Sequence, residues 1–179
     1  QLTTNVFMGK DFPSSWWQSA NAIFIIAMAP IFSSIWLVLS RIGKEPSTPM
    51  KMVWGIAFNA LSFAIMIPAA LVASSNSKAA PVWLLLLYFL QTCGELCLSP
   101  VGLSMVTKLA PVRYAAMMMG IWFLVANAFG NRLAGQASSW IESYGASTLF
   151  IGVTIVLSIA AFLLIFIVPW LRRQMQDVH

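Results

Sequence analysis

The stretch QTCGELCLSPVGLS, residues 91–104, places a carboxylate inside one of the most apolar parts of the chain. Glu95 lies about as far from Pro81 as from Lys108. A helix over this region, at ~1.5 Å per residue, therefore puts Glu95 near the middle of a bilayer. An ionised carboxylate at that depth costs about 2.5–3.5 kcal/mol on insertion scales. It is tolerated when it faces water, pairs with a cation or takes up a proton.

Further polar and small residues share the helical face of Glu95. At helical spacing, its side of the helix also carries Gln91, Ser99 and Gly102, which together form a polar stripe. Pro100 removes one backbone hydrogen bond and predicts a kink where the helix borders a cavity or another helix. Two interpretations of Glu95 remain open. It is a site on a solute or proton pathway, or it only hydrogen-bonds a neighbouring helix.

Other apolar segments carry polar or aromatic residues that suit the same cavity. Gln18 and Asn21 lie one turn apart in the first segment, and an Asn in lipid either pairs across helices or contacts a solute. Trp122 lies well inside the fourth segment, where it is either core packing or the wall of a ligand pocket. Asn59 and Ser62 also lie one turn apart, and we interpret them as contacts between helices.

Five long apolar segments must position these residues. The chain is 60% hydrophobic and 8% charged, whereas soluble domains carry about 25% charged residues, so much of its surface must meet lipid. The segments cover residues 14–40, 50–74, 81–109, 113–135 and 147–171. Each is near or above the ~20 residues that span a hydrocarbon core. We therefore predict an all-α fold, a polytopic membrane helical bundle, in which residues 1–9 are a loop or the tail of a further helix.

The basic residues predict the orientation of this bundle. They follow the first, third and fifth segments, as Arg41, Lys44 and Lys51, then Lys108 and Arg113, then Arg172 and Arg173. Basic loops stay in the cytoplasm, so the predicted C-terminus is cytoplasmic. The connection QASSWIESYGAS, which we interpret as a loop, carries only Glu142 as a charged residue. The net charge of +5 is therefore a topology signal and does not indicate binding to nucleic acid.

The sequence gives little support to an enzyme or a metal site. Cys93 and Cys97 lie four residues apart on one helical face, and we interpret them as small packing residues because free Cys behaves as a buried hydrophobe. His179 is the only histidine and lies in a polar tail. No phosphate loop, zinc spacing or nucleophile elbow occurs in the sequence. We predict no catalytic residue, no metal and no cofactor.

The segment GELCLSPVGLSMVTKLAP, residues 94–111, resembles the tenth-helix signature of the proton-dependent oligopeptide transporter family, within the major facilitator superfamily. FPSSWWQSANAIFII resembles the eighth helix of that family, with Ala22 where the family usually has a proline after the asparagine. MMMGIWFL resembles the eleventh helix. The matches run from about Gln1 to Arg173.

The resemblance implies that residues 1–179 are the C-terminal six-helix half of a twelve-helix transporter, truncated at its N-terminus. The five segments then correspond to helices eight to twelve, and residues 1–9 to the end of the seventh. The family binds substrate between two halves near the midplane and works by alternating access. The N-terminal half is an implied partner, and it supplies a lysine that pairs with Glu95.

On matching positions, the resemblance implies a peptide site. Glu95 faces the amino terminus of a di- or tripeptide and takes part in proton coupling. Asn21 contacts the peptide backbone, and Trp122 lines the pocket. Ala126 stands where some members have serine, so the polar contact expected there is absent. The predicted site is completed by two polar neighbours, Gln18 and Ser99.

The predicted function is proton-coupled symport of di- and tripeptides into the cytoplasm. The proton gradient is the energy source, and the expected location is a bacterial inner membrane. The expected partners are the peptide, protons, the lipid bilayer and the N-terminal half. Two alternatives stay open. The first is a transporter of the same superfamily for nitrate, an amino acid or a drug, and the second is a structural membrane subunit without a transport cycle.

Overall fold

The computed structural model describes residues 6–7, 10–11, 14–74 and 80–175. Nearly all of these residues lie in five long helices. They are α1 (Ser14–Arg41), α2 (Thr48–Ser74), α3 (Val82–Leu109), α4 (Ala115–Tyr144) and α5 (Ala146–Met175). One turn of 3-10 helix, Val112–Tyr114, precedes α4. The predicted all-α bundle of five long helices is therefore confirmed.

A short hairpin precedes α1. The strands β1 (Val6–Phe7) and β2 (Lys10–Asp11) pair antiparallel, with Val6 opposite Asp11 and Phe7 opposite Lys10. Within residues 1–9, the two residues that the structure describes are therefore extended, as β-branched and aromatic residues favour. The other residues of 1–9, for which a loop or the tail of a further helix was predicted, lie outside the described residues.

The helix α2 occupies the centre of the bundle. It packs along α5 on one side and along α3 on the other, and α1 packs against α3. Met66 and Ala69 of α2 form a buried cluster. The partly buried side chains around this cluster come from α3 and α5, and they are Trp83, Leu84, Leu87 and Phe150.

The helices α2 and α3 approach each other closely at a pair of glycines. A Cβ atom added to Gly55 would lie 2.9 Å from the carbonyl oxygen of Gly94. One added to Gly94 would lie 2.8 Å from the carbonyl oxygen of Gly55 and would collide with the side-chain amide of Asn59. Small residues allow such close approach of helices. This crossing fixes the position of α3 one residue before Glu95.

Four of the described helices are long and apolar enough to cross a membrane: Ser19–Arg41, Thr48–Ala73, Val82–Val106 and Ala146–Pro169. Their outer surfaces carry large exposed apolar side chains such as Ile26, Leu37 and Phe166. A bilayer covers surface of this kind. The helix α4 is equally long but more polar. Among the described elements it packs mainly against α3, α5 and the turn before it, and it has no buried residue.

The helix α4 is longer than the apolar pattern indicates. It continues to Tyr144, whereas the apolar segment ends at Gly135. The prediction that QASSWIESYGAS forms a loop is therefore wrong, because this polar stretch contains no proline and continues the helix. Gly145 ends α4 with φ +82°, a conformation that favours glycine, and α5 begins at the next residue.

Candidate substrate and proton site

The polar stripe of α3 is open at Glu95 and Ser99 and covered at Gly102, which is buried beside Trp122. Glu95 and Ser99 are exposed, and Gln91 is half-buried. The other sides of the same two turns are buried against the bundle, and they carry Thr92, Cys93, Gly94 and Cys97. Packing therefore orients α3 with its carboxylate away from the core of this chain.

Pro100 lies inside α3 and is exposed beside Ser99. Because proline has no N–H, the carbonyl one turn earlier, on Leu96, loses its usual helical donor. The exposed part of α3 thus offers the carboxylate of Glu95 and the hydroxyl of Ser99, which lie about one turn apart. The kink predicted at Pro100 stays a prediction.

Asn21 joins α1 to α3. Its side chain is half-buried, and its Oδ1 accepts a hydrogen bond from the hydroxyl of Thr92 at 2.6 Å. Thr92 is fully buried, with 0% of its surface exposed. Its position is i, i+3 relative to Glu95, so the two residues are neighbours along α3. Asn21 is therefore held against the turn of α3 that precedes Glu95.

Sequence reasoning missed Thr92. A threonine in a membrane helix usually bonds the carbonyl four residues earlier, and Thr92 lies 2.8 Å from the carbonyl oxygen of Tyr88 in this way. Its second contact, with Asn21, joins residues 71 positions apart. The only sequence signal is a hydroxyl residue inside the apolar segment, three residues before Glu95.

Trp122 of α4 packs against the same helix. A Cβ atom at Gly102 would lie 3.2 Å from Cζ2 of Trp122, so the indole ring rests on the backbone of α3. The rest of the tryptophan is open, with 45% of its surface exposed. The ring is therefore a wall beside the polar stripe rather than part of an enclosed core.

The remaining predicted positions are less informative. The side chain of Gln18 lies outside the described residues. Cys93 and Cys97 are free and buried. Asn59 donates to the carbonyl of Gly55 at 2.9 Å, and Ser62 donates to the carbonyl of Asn59 at 2.7 Å. These hydrogen bonds stay within α2, so the contact of Asn59 with α3 is one of packing against Gly94.

The charges of the described residues leave Glu95 without a cation. One ion pair occurs among them, between Lys51 and Glu45 at the start of α2. Lys51 also lies 4.9 Å from the ring centre of Trp36. In the described part of the chain, no group of three or more His, Cys, Asp or Glu side chains is placed to hold a metal ion.

A separate apolar cavity of about 520 Å³ lies along the outside of α1, and another of about 940 Å³ lies between α4 and the pair α2 and α5. The second is lined mainly by apolar side chains, among them Phe63, Trp140 and Val156. Neither includes a residue of the predicted site. The polar stripe is therefore an open surface of this chain rather than the lining of either cavity.

Comparison with known proteins identifies the family. The model of the POT family matches residues 3–157. The peptide transporter YePEPT of Yersinia enterocolitica is 39% identical over 182 residues, which cover 99% of this chain and 35% of that protein. A di-/tripeptide transporter of Lactococcus lactis subsp. cremoris is 42% identical over 110 residues, which cover 62% of this chain and 22% of that protein.

Solved structures show the same relationship. A crystal structure of a peptide transporter POT in complex with sulfate has a TM-score of 0.83 and 34% identity, covering 97% of this chain and 34% of that one. The chain thus spans about a third of the length of these relatives. The relatives are transporters, and the helices described above make this chain a multi-pass membrane protein. The resemblance carried by residues 94–111 is confirmed, and the chain belongs to the POT family.

Proposed function

We propose that this chain forms the C-terminal half of the substrate cavity in a transporter that carries di- and tripeptides into the cytoplasm with protons. The observation that carries the proposal is the open polar face of α3, with Glu95 and Ser99 exposed and the opposite face packed. Relatives named as peptide or di-/tripeptide transporters support the substrate class.

The depth of Glu95 argues for a partner outside this chain. A carboxylate inside a membrane-spanning helix needs water, a cation or a proton. The described residues supply no ion pair to it, so the proposal assigns the cation to the N-terminal half of the transporter and, in turn, to the substrate. The open face of α3 is then the surface on which the two halves and the peptide meet.

The proposed peptide contacts follow from the side chains at this surface. The carboxylate of Glu95 binds the ammonium group of the peptide, since charge-assisted hydrogen bonds are stronger than those between neutral groups. Asn21 hydrogen-bonds the peptide backbone, and the exposed ring of Trp122 packs against the substrate. Two further polar contacts are assigned to Ser99 and Gln18.

The proposed coupling uses the protonation of Glu95. A proton that enters down the gradient neutralises the carboxylate and weakens its pairing with the cation across the cavity. The halves then rock against each other, as in alternating access, and the peptide leaves on the cytoplasmic side. In this proposal the proton gradient supplies the energy, no cofactor takes part, and the protein lies in a bacterial inner membrane with its C-terminus in the cytoplasm.

Uptake by the full-length protein tests this function. The protein is reconstituted in liposomes, an inward proton gradient is imposed, and accumulation of labelled dialanine is followed. Competitors are other di- and tripeptides, free alanine, nitrate and a cationic drug. We expect saturable uptake that collapses with the gradient and is inhibited by peptides only. Inhibition by one of the other solutes alone would indicate a different substrate, and the absence of saturable uptake of any solute would indicate a structural subunit.

A further inference from the structure

The helix α1 carries two features near its middle that weaken a helix. Pro30 lies inside α1, and because proline has no N–H, the carbonyl of Ile26 loses its regular helical donor. One turn later, the hydroxyl of Ser34 donates to the carbonyl of Pro30 at 2.8 Å. Such bonds from serine slightly destabilise helices and often bend them. These two turns of α1 are therefore easier to bend than the turns on either side.

The part of α1 before Pro30 is attached to α3. The side chain of Asn21 accepts the 2.6 Å hydrogen bond from Thr92. One turn later, the rings of Phe24 and Phe89 meet edge to face, with their centroids 5.8 Å apart, an arrangement that stabilises beyond the burial of the rings. A polar contact and an aromatic contact thus hold this part of the helix on α3.

The part of α1 after Pro30 contacts α2 instead, through Lys51. Nζ of Lys51 lies 4.9 Å from the centre of the Trp36 ring, within the ~6 Å range of cation–π interactions. The same nitrogen forms the ion pair with Glu45 at 2.5 Å, and its side chain is only 16% exposed. We name the cluster of Trp36, Glu45 and Lys51 the lysine latch, because it joins the end of α1 to the start of α2.

The turns between Pro30 and the lysine latch border open space. The cavity of about 520 Å³ beside α1 lies along these turns. Its lining side chains all come from α1, and they are Pro30, Ile31, Ser34, Ile35 and Val38. None of the other described helices therefore fills the space on this face, which leaves room for the C-terminal part of α1 to move.

The helices that hold the two parts of α1 are joined to each other at the crossing of Gly55 and Gly94. A Cβ atom on either glycine would come within 2.9 Å of the opposite carbonyl oxygen. Close-packed interiors have low compressibility, so this contact resists movement of α2 against α3. A change in the position of one part of α1 is therefore taken up by bending within α1.

We propose that α1 is a hinged helix, in which Pro30 is the hinge and the lysine latch holds the C-terminal part on α2. Release of the latch lets this part swing, while the part before Pro30 stays on α3. A cation–π contact and a partly exposed ion pair together change an equilibrium constant about tenfold. That bias favours one of two conformations without locking the helix in it. The inference goes beyond the proposed function, since it requires no particular solute.

Spin labels in the full-length protein test the lysine latch. The native cysteines are replaced by alanine, labels are attached to Val38→Cys on α1 and Leu61→Cys on α2, both exposed positions, and their separation is measured by double electron–electron resonance. Lys51→Met keeps an unbranched side chain but removes the charge. We expect one main distance in the wild type and a second distance in Lys51→Met, with the ratio of the two populations changed about tenfold. Lys44→Met, in the same connection, is the matched control and should keep the wild-type distribution.

A second substitution separates the hinge from the latch. Pro30→Ala restores the backbone donor for the carbonyl of Ile26, so adding it to Lys51→Met should remove most of the second distance. The wild-type distribution in Lys51→Met would overturn the latch. An undiminished second distance in the double variant would overturn the hinge.

Milder variants keep the proposal testable if Lys51→Met does not fold. Trp36→Leu removes only the cation–π contact, and Glu45→Gln removes only the charge of the ion partner. Each should give a second distance with a population between those of the wild type and Lys51→Met. The absence of a second distance in both would overturn the latch. These measurements contain no substrate, so their result is independent of whether the protein carries peptides.

Discussion

The backbones of Gly55 and Gly94 meet where α2 crosses α3. Each glycine lies so close to the other that an added Cβ would come within 2.9 Å of the opposite carbonyl oxygen. Glu95 follows this contact directly and points to the open side of α3. The crossing therefore anchors the candidate site to the centre of the bundle, since α2 is the helix on which α3 and α5 pack.

Gly94→Ala should destabilise the protein. The new methyl group would lie 2.8 Å from the carbonyl oxygen of Gly55 and would collide with the amide of Asn59. Such overpacking costs about 1–3 kcal/mol, so thermal unfolding of the full-length protein should shift to lower temperature. Gly120→Ala is the matched control, because a Cβ there meets nothing within 4 Å. Equal Tm values for the two variants would contradict the close crossing.

Gly102→Ala should act on the site more than on stability. The methyl group would lie 3.2 Å from Cζ2 of Trp122, and the half-exposed ring can move by a few tenths of an ångström to relieve the contact. We expect a smaller loss of Tm than for Gly94→Ala, with a raised KM for dialanine because the aromatic wall shifts. Gly130→Ala, whose Cβ meets nothing within 4 Å, controls for added helix propensity. If KM also rose in this control, the rise in Gly102→Ala could not be attributed to movement of Trp122.

The Glu45–Lys51 pair should make stability depend on pH. Glu45 lies in the connection between α1 and α2, where hydrogen bonds from Lys51 and then Ser40, followed by the charge of Lys51, lower the pKa of its carboxyl group. A lowered folded-state pKa stabilises the protein at neutral pH, and this contribution is lost as the pH falls below about 4 and through the lowered pKa.

Comparison of wild type with Glu45→Gln tests this pair. The Tm of the wild type should exceed that of Glu45→Gln at neutral pH, and the difference should vanish in acid. The effect should be small, because the carboxylate side chain is 42% exposed and water screens the pair. Glu142→Gln, at the exposed end of α4, serves as the control. A Tm difference that grows as the pH falls would contradict this prediction, because the ionised pair would then not stabilise the folded protein.

Hydropathy and helical spacing were enough to predict the five helices and the face of α3 that carries Glu95 and Ser99. Hydropathy shows which segments are apolar enough to span a bilayer, and helical spacing shows which residues share a face. Both can be derived from a single sequence. They failed at the end of α4, because a helix can extend beyond the apolar segment while its backbone hydrogen bonds form. The polar residues after Gly135 form these hydrogen bonds as far as Tyr144, and Gly145 ends the helix. The Thr92–Asn21 bond was beyond reach for another reason, since it depends on how α1 and α3 pack.

The measurement that tests the central claim most directly is proton-driven uptake of dialanine by the full-length protein with Glu95→Gln. Glutamine keeps the size of the side chain but neither holds a proton as a carboxyl does nor pairs with an ammonium group. Loss of a charge-assisted hydrogen bond costs about 1.5–3 kcal/mol, so we expect gradient-driven accumulation to fall at least about tenfold. Glu142→Gln should keep the wild-type rate. Wild-type accumulation in both Glu95→Gln and Glu95→Ala would contradict the assignment of Glu95 to the peptide and the proton.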